Sequence, residues 1–485
     1  MEFINNIING VNGVLWGYVL IYLLLGAGVF FTFRTKIGQI VLLKEMFRVI
    51  SDRKTTIDSD GKKGVSGLGA FMIGAATRIG TGNLAGVTTA ISLGGPGAIF
   101  WMWIVALLGG ATSMIECTLA QLFKEKDEKT GAYKGGPAYY IQKTIGKRWI
   151  AIAMAAFTIF SFAWIFNSVQ ANTISDALEN SFNINPYVTG IVLVLLTGAV
   201  IFGGIHRISK FSATIVPFMA GIYVLLGLYV LITNLSMVPQ VFTFIIESAF
   251  GLEQAFAGGM GAAISYGIKR GLFSNEAGMG SAPNAAASAT VSHPVKQGLI
   301  QTLGVYFDTL IVCTITAFII LLSDVYNISG TYEGVNLLQE SMSSHIGSWA
   351  SGFIAISIFL FAFSSIIGSY YYGEVNIKFI KDNPKAVNLL RIITLGFVLF
   401  GSLVSANTVW NLADMSMALM TITNVLVLFI VSPIALRLIK HYKQQVKQNK
   451  DPVFYIEDMP ELDNGNITAW SKKVVQEKNL KQKAG

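Results

Sequence analysis

Residues 67–95 read GLGAFMIGAATRIGTGNLAGVTTAISLGG, an apolar segment that is long enough to cross a membrane but poorly suited to one continuous helix. Its middle carries Arg78 within a cluster of Gly, Thr and Asn residues, and each interior glycine costs about 1 kcal/mol of helix propensity relative to alanine. Glycine also occurs in membrane helices because it allows close packing, but packing explains a single glycine better than a cluster around an arginine. The segment therefore predicts a transmembrane helix that is broken at 77–83.

The rest of the chain contains further apolar stretches of similar length. A helix needs about 20 apolar residues to cross about 30 Å of hydrocarbon. The spans expected on this basis are 14–33, 68–91, 98–123, 150–175, 188–205, 213–233, 252–272, 299–322, 350–377, 389–404 and 410–436. The sequence therefore predicts an all-α polytopic membrane protein with about 11 transmembrane helices.

The Lys and Arg residues, apart from Arg78, fall in alternate gaps between these spans. The basic gaps are 34–63, 124–148, 207–210, 269–296, 378–391 and the chain after 437, whereas 1–13, 92–97, 176–187, 234–251, 323–349 and 405–409 contain no Lys or Arg. Cytoplasmic loops of membrane proteins are enriched in these residues. We therefore expect a plasma-membrane protein with its N-terminus outside and its C-terminus in the cytoplasm.

Composition supports the same class of protein. Hydrophobic residues make up 53% of the chain and charged residues 13%, about half the usual charged share of a soluble domain. The net charge of +8 is explained by the basic loops and tail, so nucleic-acid binding is not expected. Cys117 and Cys313 both lie in apolar spans and predict buried free thiols. The first span lacks a preceding basic region and is expected to remain as an anchor, and the polar tail within 437–485 is expected to be flexible.

A second group of glycines lies in the seventh span. Gly258, Gly259 and Gly261 predict a break near 258–261, although close packing is an equally good explanation. Spans two and seven are five apart, so the units 68–233 and 252–436 would cross the membrane in opposite directions. This is a 5+5 inverted repeat, preceded by an extra N-terminal helix within 1–33 and a basic cytoplasmic loop at 34–67.

Broken helices of this kind can bind a solute and an ion together. Backbone N–H groups at the start of a half-helix can bind a carboxylate, and the carbonyls freed at the end of the other half can bind a cation. The pattern therefore suits a zwitterionic amino acid that binds together with Na⁺.

Several segments resemble one transporter family. Residues 94–109, GGPGAIFWMWIVALLG, match position for position the signature of the alanine-or-glycine:cation symporter family. The segments ATRIGTGN (76–83), GGPAYYI (135–141), VQAN (169–172) and RGLFSNEAG (270–278) also resemble family motifs. The resemblance implies a leucine-transporter-type (LeuT) fold and Na⁺-coupled, sometimes H⁺-coupled, uptake of small neutral amino acids, with Na⁺ as the coupling ion and no cofactor.

The same resemblance implies roles for individual residues. The segment Gly80-Thr81-Gly82-Asn83 would receive the substrate carboxylate, and Gln170 would either bind the amino group or bridge two helices. Ser364 and Ser365 would complete a Na⁺ site, although their hydroxyls could instead bond to the preceding helical turn. The expected substrate-binding residues are Thr77, Gly80, Thr81, Gly82, Asn83, Gln170, Gly258, Gly259, Ser365 and Ser369. The expected Na⁺ ligands are Ala76, Ile79, Phe361, Ser364 and Ser365.

Ser369 departs from the family pattern, which has Trp in many members at this position. Residues four apart share a helix face, so Ser369 is expected to border the same pocket as Ser365. A serine in place of a large ring leaves room for a longer substrate, and glutamine joins alanine and glycine as a candidate. The alternative is that a neighbouring aromatic side chain fills the space.

Charged residues within spans are costly and are usually paired or functional. We expect Arg78 to form an ion pair with a carboxylate such as Glu116 or Glu276, as structure or as an inner gate; direct contact with the substrate carboxylate is the alternative. Lys269, Arg270 and Glu276 are expected to lie near the inner surface. Glu116 and Asp308 are expected to be structural hydrogen-bond partners, or proton carriers if coupling is to H⁺. The other charges within spans are Glu374 and Asp414.

Two other classes of protein are disfavoured. The sequence has no H-E-x-x-H or G-x-S-x-G motif, and its four histidines lie in loops and the tail, so an enzyme is not expected. Eleven dissimilar spans provide no symmetric pore, so a channel is not expected either.

Overall fold

The structure, a computed structural model, describes residues 2–51, 65–127, 131–251, 259–326, 334–463 and 465–471. Its helices in chain order are α1 (2–34), α2 (Gly38–Val41), α3 (Leu43–Ile50), α4 (Gly67–Arg78), α5 (Ala85–Gly94), α6 (Gly97–Leu122), α7 (Pro137–Thr144), α8 (Arg148–Phe182), α9 (Pro186–Ile201), α10 (Gly204–Thr233), α11 (Val238–Ala249), α12 (Gly259–Asn275), α13 (Ala282–Ala287), α14 (Pro294–Leu321), α15 (Gly334–Ile346), α16 (Trp349–Ile380), α17 (Pro384–Leu403) and α18 (Ala406–Lys447). A short antiparallel hairpin joins β1 (Glu125–Lys126) to β2 (Tyr133–Lys134).

Helix ends follow the local sequence. Ser66 precedes α4 and its hydroxyl accepts a hydrogen bond from Gly69 N–H at 2.9 Å. Asn185 and Asn383 cap α9 and α17 in the same way, and proline is the first residue of both helices. Such caps satisfy N–H groups that have no partner within the helix. The polar residues between apolar stretches therefore set where these helices begin.

Eight helices in the described ranges are long and apolar enough to cross a membrane: α1, α6, α8, α10, α14, α16, α17 and α18. The other three expected spans correspond to the pair α4–α5, to the 16-residue α9 and to the 17-residue α12. The all-α polytopic fold is confirmed, whereas the count of about 11 crossings stays a prediction. Both cysteines are free and buried, as expected.

The core of the bundle is built around two long helices. α6 packs along α14 and α12, and α8 packs along α16 and α17. α16 also contacts α4, the helix that ends at Arg78. These contacts bring the end of α4 into the centre of the bundle.

The break expected near 258–261 falls partly outside the described residues and stays a prediction. Gly258 lies outside the described residues, and α12 runs without interruption from Gly259 to Asn275. The chain leaves helix only after Asn275, where Glu276, Gly278 and Gly280 have positive φ angles of 59°, 86° and 85°. Within the described part of this segment, the chain is therefore interrupted after Asn275, at a later group of residues than the glycines at 259 and 261.

The tail is also ordered further than expected. α18 continues to Lys447, and the segment after it, residues 448–463 and 465–471, packs back onto the bundle; we call it the strap. Phe454 and Trp470 of the strap are buried, with 1% and 4% of their surface exposed. A polar tail that carries buried apolar side chains is not flexible over this range, because those side chains fix it to the bundle.

Candidate functional site

The first interruption separates α4 from α5. Gly80 has φ −148° and ψ −143°, and residues Thr81–Asn83 form a single 3₁₀ turn before α5 begins at Ala85. Gly80 N–H donates to Asn83 Oδ1 at 3.0 Å, and Thr81 N–H donates to Gln170 Oε1 at 3.2 Å. The N–H groups freed by the interruption are thus held by side-chain carbonyl oxygens of neutral residues.

Two serines of α16 reach the end of α4. Ser365 Oγ donates to the carbonyls of Ala76 at 2.7 Å and Phe361 at 3.1 Å. Ser364 Oγ bonds to the same two carbonyls, at 3.4 Å and 2.9 Å. Both hydroxyls therefore bond to the preceding turn of their own helix and also bridge to α4. Four of the five residues expected at the Na⁺ site meet here.

Gly80 lies directly against this group. A Cβ at position 80 would overlap Ser365 Oγ and come within 3.3 Å of Gln170 Oε1. At Gly82, by contrast, a Cβ would meet the backbone of Ser274 at 2.9 Å. The two glycines thus have different neighbours: Gly80 faces the serine pair, and Gly82 allows α12 to approach.

Thr77, Ser369 and Gly259 were also expected at the site. Thr77 Oγ1 donates to Gly74 O at 2.8 Å and lies 2.9 Å from the Tyr372 hydroxyl, so it joins α4 to α16. Ser369 is buried, one turn after Ser365 on α16. Gly259 is exposed at the start of α12, where a Cβ would meet no atom of the described residues within 4 Å. The structure therefore does not place Gly259 with the other residues.

Asn83 connects the first interruption to a buried carboxylate. Asn83 Nδ2 donates to Asp308 Oδ1 at 2.6 Å, and the hydroxyls of Ser274 and Thr309 donate to Asp308 Oδ2 at 2.8 and 2.9 Å. Asp308 lies in a π-helical stretch of α14, Phe307–Cys313, a local form that is frequent at functional sites. Sequence reasoning missed Ser274 and Thr309; the motif at 270–278 contains the first, and no local signal marks the second.

The second interruption lies between α12 and α13 and is held by acidic side chains. Gly278 N–H donates to Glu116 Oε1 at 3.0 Å, and Asn424 Nδ2 donates to Glu116 Oε2 at 2.8 Å and to Gly278 O at 2.9 Å. Ser281 Oγ donates to Glu276 Oε2 at 2.6 Å. α6 and α18 are thereby tied to the interrupted backbone, and Glu116 has the structural role that we expected.

The ion pair expected for Arg78 is wrong. Its Nη1 donates to the side-chain and backbone oxygens of Gln301 at 3.0 and 3.3 Å, and within the described part of the chain it forms no ion pair with Glu116 or Glu276. A Cβ at Gly304 would lie 2.5 Å from Arg78 Nη1. The guanidinium is therefore held against α14, because Gly304 leaves space for it beside Gln301.

A cavity of about 790 Å³ opens at one end of the bundle. Most of its lining comes from segments that belong to the gaps without Lys or Arg: Asn9, Asn12, Gly13, Ser92, Leu93, Asp176, Glu179, Asn180, Gly334, Val335, Asn336, Ala406 and Asn407. Lys269 and Arg270 line the same cavity. These two basic residues therefore share one end of the bundle with the segments that contain no basic residues, because α12 continues beyond them. The expectation that they lie near the inner surface stays a prediction.

An ion pair and three aromatic rings lie between this cavity and the first interruption. Arg270 Nη2 bonds to both carboxylate oxygens of Asp414 at 2.7 Å, and its guanidinium lies 4.4 Å from the Trp410 ring. Trp410 contacts Phe273 with ring centroids 4.8 Å apart, and Phe273 contacts Phe166 at 4.6 Å. These groups form a floor that separates the cavity from the interrupted helix.

Interrupted helices that meet at buried polar groups within a bundle of apolar helices define a multi-pass membrane transporter of the leucine-transporter type. The chain belongs to the sodium:alanine symporter family, whose model matches residues 1–456. It is 50% identical to the amino-acid carrier protein AlsT of Bacillus subtilis (strain 168), over 96% of this chain and 97% of that protein. It is 48% identical to the probable sodium/glutamine symporter GlnT of the same organism, over 97% of this chain and 96% of that protein.

Solved structures confirm the fold. The crystal structure of MhsT in complex with L-phenylalanine has a TM-score of 0.54, with 13% identity, covering 77% of this chain and 97% of that one. Family and fold together make the chain a transporter and not an enzyme.

Proposed function

We propose that this chain takes up a small neutral amino acid together with Na⁺ by alternating access. The observation that carries the proposal is the meeting of the Ser364 and Ser365 hydroxyls with the carbonyls of Ala76 and Phe361, beside the non-helical Gly80. Neutral oxygen ligands suit a hard monovalent cation, since they replace its hydration shell without adding charge.

The Na⁺ ion would lie between α4 and α16. Its ligands would be the hydroxyls of Ser364 and Ser365 and the carbonyls of Ala76, Ile79 and Phe361. Both hydroxyls already point to carbonyl oxygens, so binding would require only that they rotate and offer lone pairs to the ion. An ion in this position would hold α16 against the end of α4.

The amino-acid carboxylate would bind at the first interruption. The N–H groups of Gly80 and Thr81 are held by Asn83 Oδ1 and Gln170 Oε1, and both are neutral acceptors. A carboxylate is a stronger acceptor than an amide oxygen, so it can replace them. Asn83 and Gln170 would then be free to bind the remaining polar atoms of the ligand.

The proposed substrates are alanine, glycine and glutamine. The similarity to a carrier named for glutamine supports a pocket that accepts a side chain longer than a methyl group. Ser369 is the residue of this chain that would provide the room, because it follows Ser365 by one turn and is buried. Thr77 would position α4 through Tyr372, and Gly82 would position α12.

The cavity would face the outside of the cell. Its lining is drawn largely from segments without Lys or Arg, and the positive-inside rule assigns such segments to the exterior. The N-terminus would then lie outside and the C-terminus in the cytoplasm.

The test is uptake of labelled alanine, glycine and glutamine into proteoliposomes, with an inward gradient of Na⁺ or of choline. We expect saturable uptake that depends on the Na⁺ gradient. Uptake that is equally fast in choline would contradict Na⁺ coupling, and chemical change of the solute would contradict transport.

H⁺ coupling is the second candidate, and Asp308 is the observation that favours it. This buried carboxylate has Asn83, Ser274 and Thr309 as hydrogen-bond donors, and the described residues provide no ion-pair partner for it. An unpaired carboxylate in the membrane is a candidate proton carrier. Uptake driven by an inward pH gradient without Na⁺, and lost in Asp308→Asn, would support this candidate.

A further inference from the structure

The strap is fixed to the bundle near both of its ends. Near its start, Phe454 N–H donates to Ser292 O at 2.9 Å. Near its end, Trp470 Nε1 donates to Gln121 O at 3.0 Å. The strap therefore bridges the segment before α14 and the end of α6, which are far apart in sequence.

Buried side chains hold the strap in this position. Phe454, Ile456, Ile467 and Trp470 have exposed fractions of 1%, 4%, 5% and 4%. The rings of Phe454 and Trp470 contact each other with centroids 5.7 Å apart. Apolar side chains that are removed from water to this extent contribute to the stability of the segment that carries them.

The strap covers the place where segments from both interrupted helices meet. Val65, just before α4, pairs with Ala289, which follows α13, and Val65 O accepts from Thr290 N–H at 2.9 Å. The Gln121 side chain donates to Ala289 O at 3.0 Å, while the Gln121 carbonyl accepts the Trp470 bond. The strap is thus joined to the layer that connects the start of α4 with the segment after α13.

This layer lies at the opposite end of the bundle from the cavity. α18 begins at the cavity, with Ala406 and Asn407 in its lining, and the strap follows the other end of the same helix at Lys447. One end of the bundle is therefore open and the other is covered. Alternating access requires the covered end to open, and at this end the strap joins α18 to the end of α6 and to the segment before α14.

We propose that the strap is a latch that holds the cytoplasmic end of the transporter closed until it is released. The inference rests on the proposed function, since a latch has a role only in a protein that alternates between two open ends. Trp470 is its central residue, because its ring is buried and its N–H bonds to the end of α6. The match to the family model ends at residue 456, so family membership does not imply a latch at Trp470.

The test is the access of a membrane-impermeant maleimide to Ser288→Cys, a buried position just after α13. Labelling is measured in inside-out and right-side-out vesicles, without substrate, for the intact chain, for Trp470→Ala and for a chain that ends at Lys447. The buried native thiols give the background in chains that retain Ser288. We expect labelling from the cytoplasmic side to be at least about tenfold faster in both altered chains, because the population of the open state rises when contacts of the closed state are lost.

Thr468→Ala is the matched control, since Thr468 is an exposed residue of the strap and its loss should leave labelling unchanged. Trp470→Phe keeps a buried ring but loses the bond to Gln121, and should give an intermediate rate even if Trp470→Ala does not fold. Equal labelling rates in the intact chain, Trp470→Phe and the shortened chain would overturn the latch. Absence of Na⁺-dependent uptake in an intact chain would instead count against the proposed function, so the two failures are distinguishable.

Discussion

The two interruptions of the bundle differ in the groups that hold their backbone. At the first, amide oxygens of Asn83 and Gln170 accept the N–H groups of residues 80 and 81. At the second, the Glu116 carboxylate accepts Gly278 N–H and is itself bonded by Asn424. Glu116 and Asn424 thus bind both the N–H and the carbonyl of Gly278, whereas the N–H groups of residues 80 and 81 each have one amide acceptor. We therefore expect the first interruption to exchange its partners for a ligand more readily than the second.

The difference also appears in the backbone. Gly80 is neither helical nor extended, with φ −148° and ψ −143°, and its small size matters because Ser365 lies against it. The second interruption instead places Glu276, Gly278 and Gly280 in left-handed conformations. Of these three residues Glu276 carries a Cβ, and a left-handed conformation is strained for such a residue and is retained only when the surroundings enforce it. The second interruption thus depends on an enforced backbone conformation at Glu276, while the first depends on space beside the serine pair.

The largest effect is expected at Gly80. In Gly80→Ala the new methyl group would overlap Ser365 Oγ and move the end of α4 away from α16. Misplacement of binding groups by about 1 Å can cost about 100-fold in rate, so we expect Na⁺-dependent uptake to fall by at least about 100-fold at unchanged membrane insertion. Gly86→Ala is the control on α5, because its methyl would meet only Thr81 O at an ordinary 3.7 Å. Equal uptake by the two variants would remove the special role of Gly80.

Replacement of the group that holds the second interruption should lower the stability of the protein. In Glu116→Gln one oxygen can still accept Gly278 N–H, but the new amide N–H₂ would face the donor of Asn424. A buried donor that is left without an acceptor costs about 1–3 kcal/mol, and we expect a loss of that size in the free energy of unfolding in detergent. Glu179→Gln, at an exposed residue that lines the cavity, should change the free energy of unfolding little. A Glu116→Gln protein as stable as the parent would show that the second interruption is not held by this carboxylate.

A smaller effect is expected at the serine pair. The double variant Ser364→Ala/Ser365→Ala removes both hydroxyls that reach Ala76 O. A loss of about 1.4 kcal/mol in ion binding is a tenfold change in affinity, so the Na⁺ concentration for half-maximal uptake should rise by at least about tenfold. Ser357→Ala, which removes a hydroxyl bonded only to the preceding turn of α16, is the control. An unchanged Na⁺ dependence in the double variant would place the ion elsewhere.

The comparison of the two interruptions also explains which of them could be predicted from the sequence. The first interruption has a local signal, because residues 77–83 combine glycine, threonine and asparagine around an arginine. The second has glycines too, but sequence reasoning considered a break only at the glycines of 258–261, and a glutamate in a left-handed conformation has no sequence signature. Its partners Glu116 and Asn424 are separated from Gly278 by 162 and 146 residues. Only the folded chain shows that these residues meet.

Long-range pairing also explains the other corrections. Arg270 meets Asp414 across 144 residues, and the strap meets Gln121 across 349. Charge patterning placed Lys269 and Arg270 with the basic segments after them, because the sequence does not show that α12 extends beyond Arg270 to Asn275. The residues proposed for the Na⁺ site were predicted together because the family resemblance, and not their spacing, links Ala76 to Ser364 and Ser365.

The smallest effect on alanine uptake is expected at Ser369. On α16 it lies between Ser365, which contacts the end of α4, and Gly373, where a Cβ would lie 2.5 Å from the Ala163 side chain of α8. A tryptophan at this position would have to enter the space between α4 and α8. Ser369→Trp should therefore spare alanine and glycine, while glutamine should lose its ability to compete with labelled alanine.

The loss of competition by glutamine distinguishes two explanations for the role of Ser369 in selectivity. One methylene of mismatch in a pocket is worth about 1–3 kcal/mol, so a ring that overlaps the glutamine side chain should reduce its competition by at least about tenfold. Ser369→Ala removes the hydroxyl but keeps the space. If glutamine competes as well in Ser369→Ala as in the parent chain but fails in Ser369→Trp, volume at position 369 sets the selectivity. If glutamine fails in both, the hydroxyl is the selective group, and if it competes equally in all three, Ser369 does not line the pocket.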